Sequence, residues 1–285
     1  MESGIAYNGD VRIAYEDFGQ PGGRPLLLIS GLDDQMISSW PDGLCAALAA
    51  AGLHAVRYDH RDAGLSTHFT GKKKAYELTD MVGDMMAVLD ALGWESANLA
   101  GLSMGGGLAQ FAALLHPGRV RTLTVLSSMP PYDHKVRTTL RYVRFLPGPF
   151  RLVFRRYGDG PEDRQRLMTD IIRLTEARSL PLDDEWVRRT AAESLRRHPR
   201  DRHARSRQLA AGYSAKLPAG GIARITQPVL AISGDEDPII RAPAAARALA
   251  RAVPHGRFVQ VHRMGHLPSA PLWPQLVSEI ARHAT

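Results

Sequence analysis

A chain of 285 residues, 44 % hydrophobic and 23 % charged, carries enough apolar material for one sizeable α/β domain with room for an inserted subdomain. Its single cysteine, Cys45, excludes an internal disulfide framework and fits a reducing, cytoplasmic setting. The net charge of +7 raises a polyanionic partner, but no nucleic-acid motif, zinc spacing or aromatic platform accompanies it, and no apolar run reaches the roughly 18 residues of a membrane span.

The first residues carry Glu2, Asp10, Glu16 and Asp17 and no continuous apolar segment, so no secretory signal is expected. Ile5–Tyr7 and Val11–Glu16 read as a hairpin turned by Asn8-Gly9-Asp10. Leu26–Ser30 is a short apolar run of the kind a buried central strand shows, and it ends in the loop Gly31-Leu32-Asp33-Asp34. Ser39 and Pro41 mark the start of a helix that Gly52 stops after Ala51. Cys45 lies in the apolar run of that helix and reads as a small packed residue. The next strand is His54–Tyr58, followed by the polar turn Asp59–Ser66. From Tyr76 onward, Leu78, Met81, Val82, Met85, Leu89 and Leu92 recur at helical spacing and the pattern stops at Gly93. Ala97–Leu102 and Val120–Ser127 read as strands, with a helix from Met104 to Leu115 between them.

This alternation indicates an α/β fold, a mostly parallel sheet with helices on both faces. The rhythm breaks at Met129-Pro130-Pro131. From there to Leu217-Pro218 the chain is helical and arginine-rich, punctuated by Tyr142, Phe145, Phe150, Phe154, Tyr157 and Trp186. Residues 131–217 are therefore expected to form an inserted helical cap, with residues 1–130 and 218–285 as the core. The basic excess, concentrated between Tyr132 and Lys216, is expected to be a solvated surface. The α/β pattern resumes with the strand Gln227–Ser233, a helix over Pro243–Ala252, the strand Arg257–Val261 and a last helix from Leu272 to His283.

Within this frame Gly101-Leu102-Ser103-Met104-Gly105 runs from a strand directly into a helix, the pattern of a nucleophile elbow. A serine hydroxyl needs a base to take its proton and a third group to hold that base. In sheets of this kind functional groups gather at the carboxyl ends of strands. The loop after Gln227–Ser233 offers Asp235, Glu236 and Asp237, and the loop after Arg257–Val261 offers His262 and His266. His266, beyond the strand in a Gly-His turn, is preferred over His262. Asp237, held extended before Pro238, is preferred over Asp235, which stays the alternative. An oxyanion hole would use the N–H groups of Met104 and Leu32. No pair of histidines shows metal-ligand spacing beside a carboxylate cluster, so no metal is expected.

The stretches Arg57–Thr67, Gly101–Gly106, Asp237-Pro238-Ile239 and Gly265-His266 resemble the α/β-hydrolases over nearly the whole chain, and particularly the aclacinomycin methylesterase type of polyketide-tailoring esterase. That resemblance implies a Ser103/Asp237/His266 triad, an all-helical cap and hydrolysis of a carboxylic ester without a cofactor. Asp59 and Arg61 would fix a turn. Where many relatives have His-Gly at the oxyanion loop, this chain has Ser30-Gly31. The expected substrate is a small-molecule ester, such as a methyl ester or lactone of a bulky polyketide-like group, with Trp40, Met36 and the cap aromatics lining its pocket. Neither nucleic acid nor membrane is expected as a partner, and a homodimer is compatible with the reading. The scaffold also hosts lyases, cyclases, cofactor-free perhydrolases and ligand receptors, which sequence alone does not separate.

Overall fold

A computed structural model of the chain describes residues 1–20, 22–71, 75–131, 160–181, 183–198 and 203–285. Strands β1 (Glu2–Asn8) and β2 (Val11–Asp17) form the expected hairpin, with Gly9 turning it at φ 60°. With β3 (Arg24–Ile29), β4 (Leu53–Tyr58), β5 (Ala97–Leu102), β6 (Val120–Leu126), β7 (Val229–Gly234) and β8 (Gly256–Val261) they make one eight-stranded sheet in the order β1-β2-β4-β3-β5-β6-β7-β8. Strand β2 is antiparallel to both neighbours, whereas β3 to β8 all run parallel. The carboxyl ends of β3, β5, β7 and β8 therefore share one edge of the sheet.

The strands divide their side chains by the two-residue period. Leu27, Ile29, Val56, Leu99, Val125 and Ala231 pack on one face against α3 (Leu78–Ala91), α4 (Met104–Leu115) and α8 (Ala242–Ala252). Leu26, Leu28, Ala55, Ala100, Leu126 and Ile232 pack on the other against α2 (Asp42–Ala50) and α9 (Trp273–His283). The methionine-bearing face of α3 is core, as its spacing predicts. That helix starts with a reciprocal cap in which the Glu77 N–H donates to Asp80 Oδ2 at 2.7 Å.

The helix expected from Ser39 to Ala51 is two pieces. A single turn, α1 (Met36–Ser39), ends before Trp40, and α2 begins after Pro41. Proline disfavours the α conformation at the residue before it, so the chain breaks at Trp40-Pro41.

Between β6 and β7 the described chain holds α5 (Pro161–Thr175), α6 (Asp184–Arg197) and α7 (Ala204–Ser214). Tyr142, Phe145, Phe150, Phe154 and Tyr157 lie outside the described residues. The expected solvated basic surface holds for Arg166, Arg173, Arg188, Arg189, Arg196 and Arg205, but not for Arg197 and Arg207. Arg207 is fully buried and grips Asp62 with two bonds, Nε to Oδ2 at 2.7 Å and Nη2 to Oδ1 at 2.8 Å. Arg197 reaches Glu16 at 2.7 Å and Asp59 at 2.8 Å. Glu16 is also paired with the buried Arg57, whereas Asp59 and Asp62 in the turn after β4 take their counter-charge from these two arginines, which therefore point inward.

Asp59 does fix that turn, accepting from the N–H groups of Met36 and Leu65, both at 2.9 Å. Arg61 instead leaves the turn and clamps Asp84 of α3 through Nε and Nη2, both at 2.6 Å. Replacing Arg207 by Met would strand the Asp62 carboxylate in the core. The Arg207→Met variant is expected to lose about 3–5 kcal/mol of stability, read as a fall in the urea midpoint at unchanged slope.

Candidate active site

Where β5 runs into α4 the two backbones pass within contact. A Cβ added at Gly101 would lie 2.2 Å from the Gly105 carbonyl oxygen, and one at Gly105 would lie 2.3 Å from that of Ile29. No side chain fits at either position, which is why the sequence has glycine there. Ser103, between them, is forced to φ 53° and ψ −115°, a strained conformation for a residue with a Cβ. Its N–H donates to the Leu126 carbonyl at 2.9 Å, so the elbow is fastened to β6. Met104 is the first residue of α4, and its N–H has no acceptor within the helix.

The loops after β7 and β8 carry the acid and the histidine. Asp237 Oδ1 accepts from the N–H groups of Ile239 at 2.7 Å and Ile240 at 3.0 Å, which fixes the carboxylate. Its Oδ2 lies 2.8 Å from His266 Nδ1, and both residues are buried, at 1 % and 6 % exposure. A carboxylate only accepts, so Nδ1 carries the proton and Nε2 keeps a lone pair for use as a base. Asp235 is engaged elsewhere. It pairs at 2.6 Å with the exposed His262 and accepts from the Arg263 N–H at 2.8 Å, a surface arrangement.

The histidine loop is moulded against its surroundings. A Cβ at Gly265 would lie 2.5 Å from the Ala177 nitrogen, and the His266 N–H donates to the Thr175 carbonyl at 2.7 Å. The end of α5 therefore holds the loop from outside. Beside it Ser269 Oγ donates to Glu176, whose carboxyl burial pushes above its ordinary value.

On the other side of the serine, the loop after β3 comes close. A Cβ on Gly31 would lie 3.7 Å from Ser103 Cβ. The Gly31 N–H donates to Ser39 Oγ at 3.1 Å, and the next peptide carries the Leu32 N–H.

With this arrangement in view, comparison with known proteins is decisive about kinship. The sequence pattern of the α/β-hydrolase fold family matches residues 24–270. The chain belongs to the α/β-hydrolase family. It is similar to rhodomycin D methylesterase DauP of Streptomyces sp. strain C5, at 32 % identity over 299 residues that span 99 % of this chain and 98 % of that one. Rhodomycin D methylesterase DnrP of Streptomyces peucetius is 30 % identical over 313 residues, with the same two coverages. Among solved structures, the meta-cleavage product hydrolase CumD of Pseudomonas fluorescens IP01 superposes with a TM-score of 0.74 at 19 % identity, covering 98 % of this chain and 96 % of that one. The last likeness speaks for the fold alone.

In this hydrolase Trp40 and Met36, the two residues expected to line a substrate pocket, are both buried. Trp40 is fully buried among Leu44, Leu48 and their neighbours, and Met36 is 1 % exposed with its N–H held by Asp59. The split between α1 and α2 turns both inward. Conversely, His60 had no sequence argument in its favour, yet it supports the site. It is buried and its Nε2–H donates at 3.0 Å to the carbonyl of Ser30, at the carboxyl end of β3. Burial pushes the His60 imidazole below its ordinary value, so it is neutral. Nothing in the sequence separates His60 from a surface histidine, because its acceptor is a backbone group 30 residues away.

Cys45 is fully buried and burial pushes its thiol up to about 12, which leaves no thiolate at neutral pH. Native hydrolase should not react with a disulfide reagent such as DTNB at pH 8, and one thiol should titrate after unfolding in guanidinium. The His60 shift has a definite sign for stability. The unfolded imidazole, with its ordinary value of 6.5, takes up a proton before the folded one does. Its contribution is therefore complete above that value and is lost as pH falls through it. Urea midpoints measured from about pH 7.5 to 5.5 should drop less in a His60→Gln variant than in the parent.

Proposed function

We propose that this α/β-hydrolase is a serine esterase in which Ser103 is the nucleophile, His266 the base and Asp237 the group that orients it. The observation that carries the reading is the buried 2.8 Å contact of His266 with Asp237, at the same sheet edge as the strained Ser103. The names of the two Streptomyces relatives support ester hydrolysis, and a methyl ester of a bulky polyketide-like compound is the proposed substrate. The insertion of residues 131–217 is proposed to cap that site, with residues 1–130 and 218–285 as its base.

In the proposed reaction Ser103 Oγ attacks the ester carbonyl carbon while its proton passes to His266 Nε2. The carbonyl oxygen becomes an oxyanion, stabilised by the N–H groups of Met104 and Leu32. The positive end of α4 adds to that field. Asp237 keeps Nδ1–H aligned and stabilises the imidazolium. The C–O bond to the alcohol then breaks, and Nε2 returns its proton to the departing oxygen, which leaves as methanol from a methyl ester. Water next attacks the acyl-serine and gives its proton to Nε2. A second oxyanion collapses, the bond to Oγ breaks, Oγ recovers the proton and the free acid departs.

Ser103→Ala is expected to lower kcat on p-nitrophenyl esters by roughly 10⁴–10⁶-fold while the far-UV circular dichroism is unchanged. A serine-directed phosphonate should add covalently to Ser103 in the parent and not in the variant, as mass spectrometry would read. Retention of most hydrolysis by the variant would remove Ser103 from the mechanism.

A further inference from the structure

The loop that carries the Leu32 N–H is pinned at two peptides, one on each side of that group. On the core side the Gly31 N–H donates to Ser39 Oγ at 3.1 Å, and Ser39 in turn donates to Asp34 at 2.5 Å. On the other side the Asp33 N–H donates to Oε1 of Gln208 at 2.7 Å. Gln208 belongs to α7 of the insertion, 175 residues further along the chain. It is fully buried, and its Nε2 donates to the Arg61 carbonyl at 3.1 Å, so both ends of the amide are used and its direction is fixed. Arg207, the preceding residue, locks the same turn of α7 onto Asp62. A parallel bond runs from Gln35 Nε2 to the Ser194 carbonyl of α6 at 2.9 Å.

Asp33 sits at φ 58°, a left-handed conformation that a residue with a side chain adopts only when its surroundings hold it there. Gln208 provides such a hold. Without an acceptor for the Asp33 N–H, the peptide can rotate toward an ordinary conformation, and the Leu32 N–H joined to it turns as well. The oxyanion hole would then be built from both parts of the molecule. Met104 and Ser39 belong to the core, whereas the acceptor that sets Asp33 comes from the insertion.

We infer that Gln208 is a positioning residue for the oxyanion hole, so that seating of the insertion on the core sets the geometry of transition-state stabilisation as well as covering the site. This rests on the serine-hydrolase reading and on Leu32 as an oxyanion donor. A group acting this way moves kcat and leaves ground-state binding nearly untouched, because the oxyanion exists only during the chemical step.

The test compares the parent with Gln208→Met, which keeps the length and removes both polar atoms, and Gln208→Glu, which keeps an acceptor for the Asp33 N–H. Active sites are counted by phosphonate titration, so that unfolded protein does not enter the rate. Outright loss of an oxyanion donor costs about 10²–10³-fold, and a displaced one should cost Gln208→Met about 10- to 100-fold in kcat per titrated site, with KM within about two-fold. The rate of phosphonate addition should fall in the same proportion, and Gln208→Glu should recover most of both. Should Gln208→Met fail to fold, Ser39→Ala frees the same loop from the core side and should show the same loss in kcat at constant KM. Unchanged kcat per titrated site, or equal losses in Gln208→Met and Gln208→Glu, would overturn the assignment while leaving the esterase reading intact. A parent that neither hydrolyses esters nor takes up phosphonate would overturn both.

Discussion

The constraint on which the candidate site depends is the crossing of three backbones at the centre of the sheet. The end of β5, the first turn of α4 and the end of β3 meet with no room for a single methyl group at Gly101 or Gly105. That contact fixes the angle at which α4 leaves the sheet. It also forces the left-handed φ at Ser103 and sets the loop after β3 against the serine. Strain of this kind persists only where the surroundings over-determine it. Here they do, because β5 is hydrogen-bonded on both sides and the Ser103 N–H is tied to β6. The rest of the edge can then be supplied by loops, which need only reach a point that is already rigid.

The second requirement is that the insertion stay on the core, and here buried charge does what an apolar interface does elsewhere. Asp59 and Asp62 lie in the turn after β4 and are both inaccessible, and each takes an arginine from the insertion. Asp62 also accepts from the Phe69 N–H at 2.8 Å and the Tyr76 hydroxyl at 2.7 Å, so its lone pairs are met. Pairs of this type add little net stability over a well-packed apolar contact, but breaking one is expensive. Their directionality sets a register between insertion and core that a greasy surface would leave free to slide. Apolar contact supplements them, since Ile172 and Val187 of the insertion join the core cluster beneath α2 and α9.

Much of this was legible in the chain because it rests on local signals. The strands and helices of the core follow from apolar runs, helical spacing and glycine stops, and the mostly parallel sheet, though not its strand order, follows from their alternation. The Asp237–His266 contact follows from two loops leaving neighbouring parallel strands at the same edge. The break at Trp40-Pro41 was present in the sequence as Pro41, but reading the proline as a helix start hid the one-turn α1 before it, and with it the burial of Trp40 and Met36. What could not be read is whatever depends on partners far along the chain. Arg197 and Arg207 look like other arginines in a basic stretch, and their carboxylates lie 138 and 145 residues away. Gln208 has no motif, and its function is set by a backbone N–H across the interface.

These distant contacts share a pattern. The insertion reaches each of the loops that deliver a functional group to the edge. Gln208 and the Ser194 carbonyl hold the loop after β3, Arg197 and Arg207 hold the turn after β4, and the Thr175 carbonyl holds the His266 N–H. The Ser179 N–H adds a 3.0 Å bond to Glu236, one residue before Asp237. Among the described residues, the bonds that fix the elbow come from the core alone. A cap that merely covered a pocket would need contacts at its rim, and these would be free to vary with the substrate. In the proposed esterase, helices that brace these loops from behind are coupled to the chemistry, because a displacement of α5 or α7 would pass through bonds of about 3 Å to the atoms proposed to align the imidazole and the oxyanion donors. The seating of these helices and the geometry of the catalytic groups would then be one property and not two.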